Sequence, residues 1–105
     1  MPSWTFLTNH ALVLTHISRE PESTGIEIAQ AAGITERAAR KIIADLQEAG
    51  YVSAEKIGRR NRYRVHIRQS LGRIGQRELT AGELVSLLRG GSDELKLPQE
   101  QVPFR

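Results

Sequence analysis

Three cationic side chains recur at a spacing that could bind a polyanion. Arg37, Arg40 and Lys41 lie within the run 35–49. At 100° per residue they share one side of a helix with Ala44, while the apolar residues occupy the other side. Arginine can bond both O6 and N7 of guanine, and a small alanine lets the helix approach closely. This face therefore predicts a helix that enters the major groove of double-stranded DNA.

Two residues at the start of this run also carry groups suited to nucleic acid. Thr35 can cap the helix, whose first backbone N–H groups favour a phosphate. Glu36 can accept a hydrogen bond from the amino group of cytosine. We expect Arg37 and Arg40 to contact bases. Taken alone, however, one basic and one apolar side are more typical of an ordinary surface helix.

A second group of cations falls in the predicted wing, residues 58–62, around a short polar turn at 58–61 between two runs with strand character, 51–57 and 62–67. In the second run apolar and polar residues alternate, as in a half-buried strand; the apolar ones are Tyr63, Val65 and Ile67. Gly58 and Asn61 suit the positive φ of a hairpin turn. We therefore predict a β-hairpin whose tip contacts the DNA backbone or a narrow minor groove. The candidate contacts at this tip are Arg59, Arg60, Asn61 and Arg62.

Helices must position both groups, and their ends are marked in the sequence. Thr8 can cap a first helix over 9–19. A second helix starts at a capping box, Thr24 with Glu27, and ends at Gly33, a residue suited to a left-handed C-cap. The basic helix follows after a short turn. The two helices joined through Gly33 predict a helix-turn-helix unit.

The rest of the chain has weaker signals. Residues 69–79 contain two glycines and no period, which predicts a linker. A second capping box, Thr80 with Glu83, opens a helix over 80–91 with leucines and a valine on one side. Residues 92–105 are mostly polar and contain two prolines, which predicts a flexible tail. At the other end, Trp4, Phe6 and Leu7 are expected to form a hydrophobic plug.

Composition fits one small DNA-binding domain. The chain has 105 residues, no cysteine and a net charge of +3, yet its eight basic residues between Lys56 and Arg77 have no acid among them. Such a patch favours a nucleic-acid partner or, equally, a solvated basic face. The three histidines are scattered, which argues against a metal site. No apolar stretch is long enough for a membrane span, and no nucleophile elbow or phosphate-binding loop suggests an enzyme.

Residues 8–68 resemble the winged helix-turn-helix domain of MarR- and ArsR-type bacterial regulators. The resemblance rests on IEIA at 26–29, GITERAAR at 33–40, LQEAGYV at 46–52 and GRRNRY at 58–63. It implies an α+β, mostly α fold: a winged helix-turn-helix domain over 1–68 with a three-helix core and a β-hairpin wing, followed by the additional C-terminal helix over 80–91. In that family the equivalents of Glu36, Arg37, Arg40 and Lys41 face the groove. The cysteine pair of metal-sensing members is missing.

These observations together predict a sequence-specific regulator of transcription that binds double-stranded DNA, without cofactor or catalytic activity. We expect it in the cytoplasm, associated with the nucleoid and with no membrane contact. The alternative is a winged-helix module that binds a protein or an RNA. The helices over 9–19 and 80–91 could either join two copies into a homodimer or pack together within one chain.

Overall fold

Four helices and two small β-hairpins make up residues 4–89, the part of the chain that the computed structural model describes. The helices are α1 (Asn9–Arg19), α2 (Gly25–Ala32), α3 (Glu36–Glu48) and α4 (Ala81–Arg89). The strands are β1 (Val52–Ile57), β2 (Arg60–Val65), β3 (Ser70–Ile74) and β4 (Arg77–Thr80). β1 pairs with β2 and β3 with β4, both antiparallel. This α+β order is compatible with a winged-helix fold; the predicted tail over 92–105 lies outside the described residues.

The helix ends follow the capping residues that the sequence marks. Thr8 accepts a hydrogen bond from the Ala11 backbone N–H at the start of α1. At the start of α2 the capping box is complete: Thr24 Oγ1 accepts from Glu27 N–H, and Glu27 Oε1 accepts from Thr24 N–H at 2.8 Å. Gly33 has φ 74°, the left-handed geometry that ends α2. The predicted helix boundaries in this region are therefore confirmed.

A single apolar core joins the three N-terminal helices to the rest of the fold. The side chains of Val13, Ile17 and Ile28 are completely buried among those of α3. The first hairpin adds Val52 and Tyr63 to this core, and α4 adds Ala81 and Val85. α4 packs against α1 of the same chain. One of the two expected roles of these helices, packing within the chain, is thus present in the structure.

The first hairpin is tighter than predicted. Ile57 is the partner of Arg60, so the turn consists only of Gly58 and Arg59. Asn61 lies inside the ladder opposite Lys56, and Gly58 alone carries the positive φ, 61°. In a two-residue turn whose first residue is glycine, only that glycine needs a positive φ. Asn61 therefore keeps a strand conformation. The predicted alternation also ends early, since Ile67 lies beyond β2 and is 58% exposed.

The segment 69–79 is not the irregular connection that we expected, because it contains β3 and most of β4. A bulge between Ser70 and Gly72 shifts the register, and Gly72 has φ 130°. Gly75, with φ 63°, forms the turn. The bulge puts two residues opposite one and so interrupts the period of two that identifies a strand. The two glycines that suggested a linker instead permit a short bulged hairpin.

The start of α4 lies in close contact with the loop after β2. Ala81 N–H donates to Gln69 O at 2.8 Å, and Gly82 N–H donates to Ile67 O at 2.9 Å. A Cβ on Gly82 would lie 2.8 Å from Ile67 Cβ and 3.0 Å from Ile67 O. Neither of these Ile67 atoms can rotate away as the end of a long side chain could. Glycine at position 82 therefore allows α4 to dock.

We expect Gly82→Ala to destabilise the fold by about 1–3 kcal/mol through this overlap, although alanine forms helices better than glycine. Ser86→Ala, elsewhere on α4, serves as the control and should change stability by no more than about 0.5 kcal/mol. Urea denaturation followed by circular dichroism measures both. Equal stability of Gly82→Ala and wild type would show that α4 does not pack as described.

Candidate nucleic-acid interface

α3 turns its predicted cationic face to solvent. Its apolar residues Ala39, Ile42, Ile43 and Leu46 are buried, whereas Arg37, Arg40, Lys41 and Ala44 are exposed. Thr35 is the N-cap and accepts from Ala38 N–H at 3.0 Å. Glu36, on the first turn, is partly buried. The arrangement of this face is the one expected from helical spacing.

The tip of the first hairpin lies beside this face. A cleft of about 350 Å³ separates the hairpin from α3 and from the start of α2. We call it the arginine cleft; among the residues that line it are Thr24, Gly25, Arg40, Arg59, Arg60 and Asn61. The structure therefore brings together two groups of cations that are about twenty residues apart in sequence. Arg62 does not line this cleft and lies with Arg64 beside a separate depression.

Carboxylates from α3 itself hold two of the predicted cations. Arg40 donates to Glu36 Oε2 through Nη2 and, at 3.1 Å, through Nε. Lys41 Nζ donates to Asp45 Oδ1 at 2.8 Å. Hydrogen bonding and the nearby negative charge raise the pKa of both Arg40 and Lys41. The exposed face of α3 therefore carries less free positive charge than its basic residues suggest.

Asp45 also connects α3 to α1. Its second oxygen, Oδ2, lies 2.8 Å from His10 Nε2. Hydrogen bonds from Lys41 and then from His10 lower the pKa of Asp45. Because both contacts favour the carboxylate form, Asp45 remains charged over the physiological pH range and keeps Lys41 on the exposed side of α3.

Acidic residues before and within α2 hold the hairpin. Arg60 Nη1 donates to the Glu22 carbonyl at 2.8 Å and lies 3.7 Å from Glu27 Oε1. Arg62 donates to Glu22 Oε2 through Nε at 3.2 Å and Nη2 at 3.0 Å. A backbone hydrogen bond adds to these contacts: Tyr63 N–H donates to Pro21 O at 2.8 Å. These contacts attach β2 to the loop between α1 and α2, and so fix the hairpin relative to α3.

Sequence reasoning missed the role of Glu22, because its partners are 38 and 40 residues away and no local pattern links them. Glu27 was predicted only as a capping residue, and it does cap α2. The hydrogen bond from the Thr24 backbone is the main cause that lowers its pKa, and Arg60 lowers it further. In contrast, Arg37 and Arg59 form no salt bridge with another residue in the range 4–89.

Other kinds of site find little support in the described residues. No group of three or more His, Cys, Asp and Glu side chains within 4–89 could hold a metal ion. No helix in that range is long and apolar enough to cross a membrane. His16 is partly buried and pairs with Ser23 at 2.9 Å, so it has a structural contact. The arginine cleft and the exposed face of α3 are the strongest candidate for a functional surface.

Comparisons with known proteins assign no family to the chain. A scan against protein-family models finds no match, and a search of curated proteins finds no match of significance. The function is therefore proposed from the geometry and charge of this surface, together with the resemblance noted in the sequence.

Proposed function

We propose that this chain is a sequence-specific regulator of transcription that binds double-stranded DNA through a winged helix-turn-helix domain of the MarR/ArsR-like type. The observation that carries the proposal is the arginine cleft, which is lined both by Arg40 of α3 and by Arg59 and Arg60 of the hairpin. With its side chains a helix is about 10–12 Å in diameter, so the 13-residue α3 fits the major groove, which is about 12 Å wide. The hairpin beside it would lie on the adjacent backbone or minor groove.

Each residue of the α3 face has a role in this proposal. Arg40 gives two of its five N–H donors to Glu36, so the rest are available for O6 and N7 of a guanine. Arg37, exposed one turn away, reads a neighbouring base. Lys41 and the N-terminus at Thr35 contact phosphates, and Ala44 leaves room for the groove wall.

The hairpin tip supplies contacts that do not depend on sequence. Arg59 is exposed and has no salt-bridge partner among the described residues, so it can bind a phosphate at little cost. Arg60 and Asn61 lie at the cleft beside it. We further propose that the protein acts without a cofactor or a catalytic group, and at the nucleoid in the cytoplasm.

Selection of bound duplexes from a random pool tests the proposal. We expect one enriched motif, whose affinity for the protein falls as salt rises because each contacted phosphate releases counterions. If Lys41, Arg59 and Arg60 each neutralise one phosphate, the slope of log K against log salt should be about −3. Fluorescence anisotropy from about 50 to 200 mM salt measures it. A pool without any enriched sequence would contradict the proposal.

One observation favours a second candidate, a winged-helix module that binds a protein or an RNA. Four of the predicted contact cations are paired with carboxylates, which leaves a mixed surface of both charges; they are Arg40, Lys41, Arg60 and Arg62. Mixed surfaces of this kind suit protein partners as well as DNA. The same selection with a pool of structured RNA, together with the duplex pool, separates the two candidates. An enriched duplex supports the first candidate, whereas an enriched RNA, or no enrichment in either pool, supports the second.

A further inference from the structure

Glu36 lies on the first turn of α3 and is the predicted contact residue of this helix that carries a negative charge. Its Oε2 accepts from Arg40 Nε at 3.1 Å and also from Arg40 Nη2. Both donors lie on one edge of the planar guanidinium group. Two hydrogen bonds to a planar group restrict its rotation more than one bond does, so Glu36 limits how Arg40 can turn.

The start of α2 lies close to this pair. Gly25 is the first residue of α2, and a Cβ placed on it would lie 3.6 Å from Glu36 Oε2 and 3.7 Å from Arg40 Nη2. An alanine would thus just touch the pair, and the glycine leaves it room between α2 and α3. The side chain of Glu36 is 40% exposed and that of Arg40 is 69% exposed. The carboxylate is therefore the inner member of the pair and the guanidinium group is the outer one.

The edge of Arg40 that Glu36 does not occupy has the donors that recognition of guanine needs. Nη1 carries two N–H groups and Nη2 carries a second one beyond that given to Glu36. The outer N–H groups of Nη1 and Nη2 are parallel, which matches the O6 and N7 acceptors of guanine in the major groove. An exposed ion pair of this kind adds little to stability, so its main effect is on the orientation of Arg40.

We propose that Glu36 is a positioning residue, which holds the guanidinium plane of Arg40 beside the start of α2 and leaves its outer edge to bond a guanine. Glu36 then acts through Arg40 and does not itself accept a hydrogen bond from cytosine. The inference rests on the proposed binding of DNA by α3 and names a residue that determines specificity there. A side chain that is already oriented loses less freedom when it bonds a guanine, which accepts in one plane. A phosphate accepts from many directions and gains less from that orientation.

Base preference at one position tests this role. The position is the guanine whose preference Arg40→Ala relaxes, and the preference is the ratio of affinities for the selected duplex and for a duplex with that guanine replaced. We expect Glu36→Ala to lower the ratio by about threefold to tenfold, the cost of fixing one long side chain. Glu36→Gln keeps an oxygen acceptor on a side chain of the same length, so its ratio should stay within about twofold of wild type.

Glu48→Ala is the matched control for charge. Glu48 is exposed in the last turn of α3 and does not line the arginine cleft. Its removal should raise the affinity for both duplexes and leave their ratio unchanged. An unchanged ratio in Glu36→Ala would overturn the proposal. A lost preference at a cytosine would also overturn it, because Glu36 would then read that base itself, and so would equal losses in Glu36→Ala and Glu36→Gln.

A measurement without DNA separates failure of this inference from failure of the proposed function. In proton–nitrogen NMR spectra, the heteronuclear NOE of the Nε–H group reports how rigidly an arginine side chain is held. We expect a higher NOE for Arg40 than for Arg37, which is exposed and forms no salt bridge with another residue in the range 4–89. In Glu36→Ala the NOE of Arg40 should fall to that of Arg37. Equal values in the wild type would refute the positioning role even if an enriched duplex is found, whereas a rigid Arg40 without any enriched duplex would refute the proposed function and the guanine contact with it.

Discussion

Replacing Arg40 by alanine will weaken binding to the selected duplex by about 1–3 kcal/mol and will relax the base preference at one position. Two effects combine in this loss. The guanidinium group that would bond a guanine is removed, and Glu36 is left without its partner, so a carboxylate faces the phosphates. Anisotropy titrations with the selected duplex, and with single-base variants of it, measure both effects.

Two further variants separate a local contact from a change in total charge. Arg89→Ala removes one exposed positive charge from α4, away from the arginine cleft, and should weaken binding far less. Arg40→Lys keeps the charge and loses the planar fork, so it should retain overall affinity better than base preference. If Arg40→Ala bound the duplex with unchanged affinity and preference, α3 would not be the recognition helix.

Replacing Ile17 by alanine will cost about 2–5 kcal/mol of unfolding free energy. Ile17 is completely buried in the last turn of α1 and belongs to the core that α1 shares with α2 and α3. Truncating it removes apolar contacts and leaves a cavity that the packed neighbours cannot fully close. Since domains of this size have a total stability of only about 5–15 kcal/mol, this change removes a large part of it. Urea denaturation with a fixed m value measures the loss.

Leu12→Ala is the matched control on the same helix. Leu12 is 37% exposed, on the side of α1 that the helical wheel separates from the apolar arc. It should lose much less stability than Ile17→Ala because fewer of its contacts are lost. Similar losses for the two variants would mean that α1 does not sit in the core in the orientation described.

Helices were predictable from sequence because their ends are determined by neighbouring residues. Thr8 and Thr35 accept from backbone N–H groups three residues on, and Thr24 does so with Glu27 in return. Gly33 ends α2 through its own φ angle. The exposed face of α3 follows from the same regular geometry, since a helix with one apolar side must bury that side.

The features that sequence could not predict depend on distant parts of the chain. The hydrogen bonds between Arg62 and Glu22 exist only because β2 packs beside the loop before α2. The close approach of Gly82 to Ile67 likewise depends on how α4 docks. The hairpin of β3 and β4 was hidden for a local reason, the bulge at Gly72, which breaks the alternation of a short strand. The expected hydrophobic plug is also wrong, because the rings of Trp4 and Phe6 are exposed; periodicity could not predict this, since residues 4–7 lie outside the helices and strands.

If the chain binds DNA as proposed, the carboxylates beside the predicted contact residues would affect its search along a chromosome. A phosphate that approaches Arg40 or Arg62 must compete with a glutamate that already occupies the guanidinium group. Random DNA would give few contacts in place of these ion pairs, whereas the correct operator would add base contacts that offset any such loss. The two glutamates would therefore shorten the residence time of the protein on wrong sites more than its residence time on the correct site. Discrimination would then come partly from the acidic side chains that pair with these arginines.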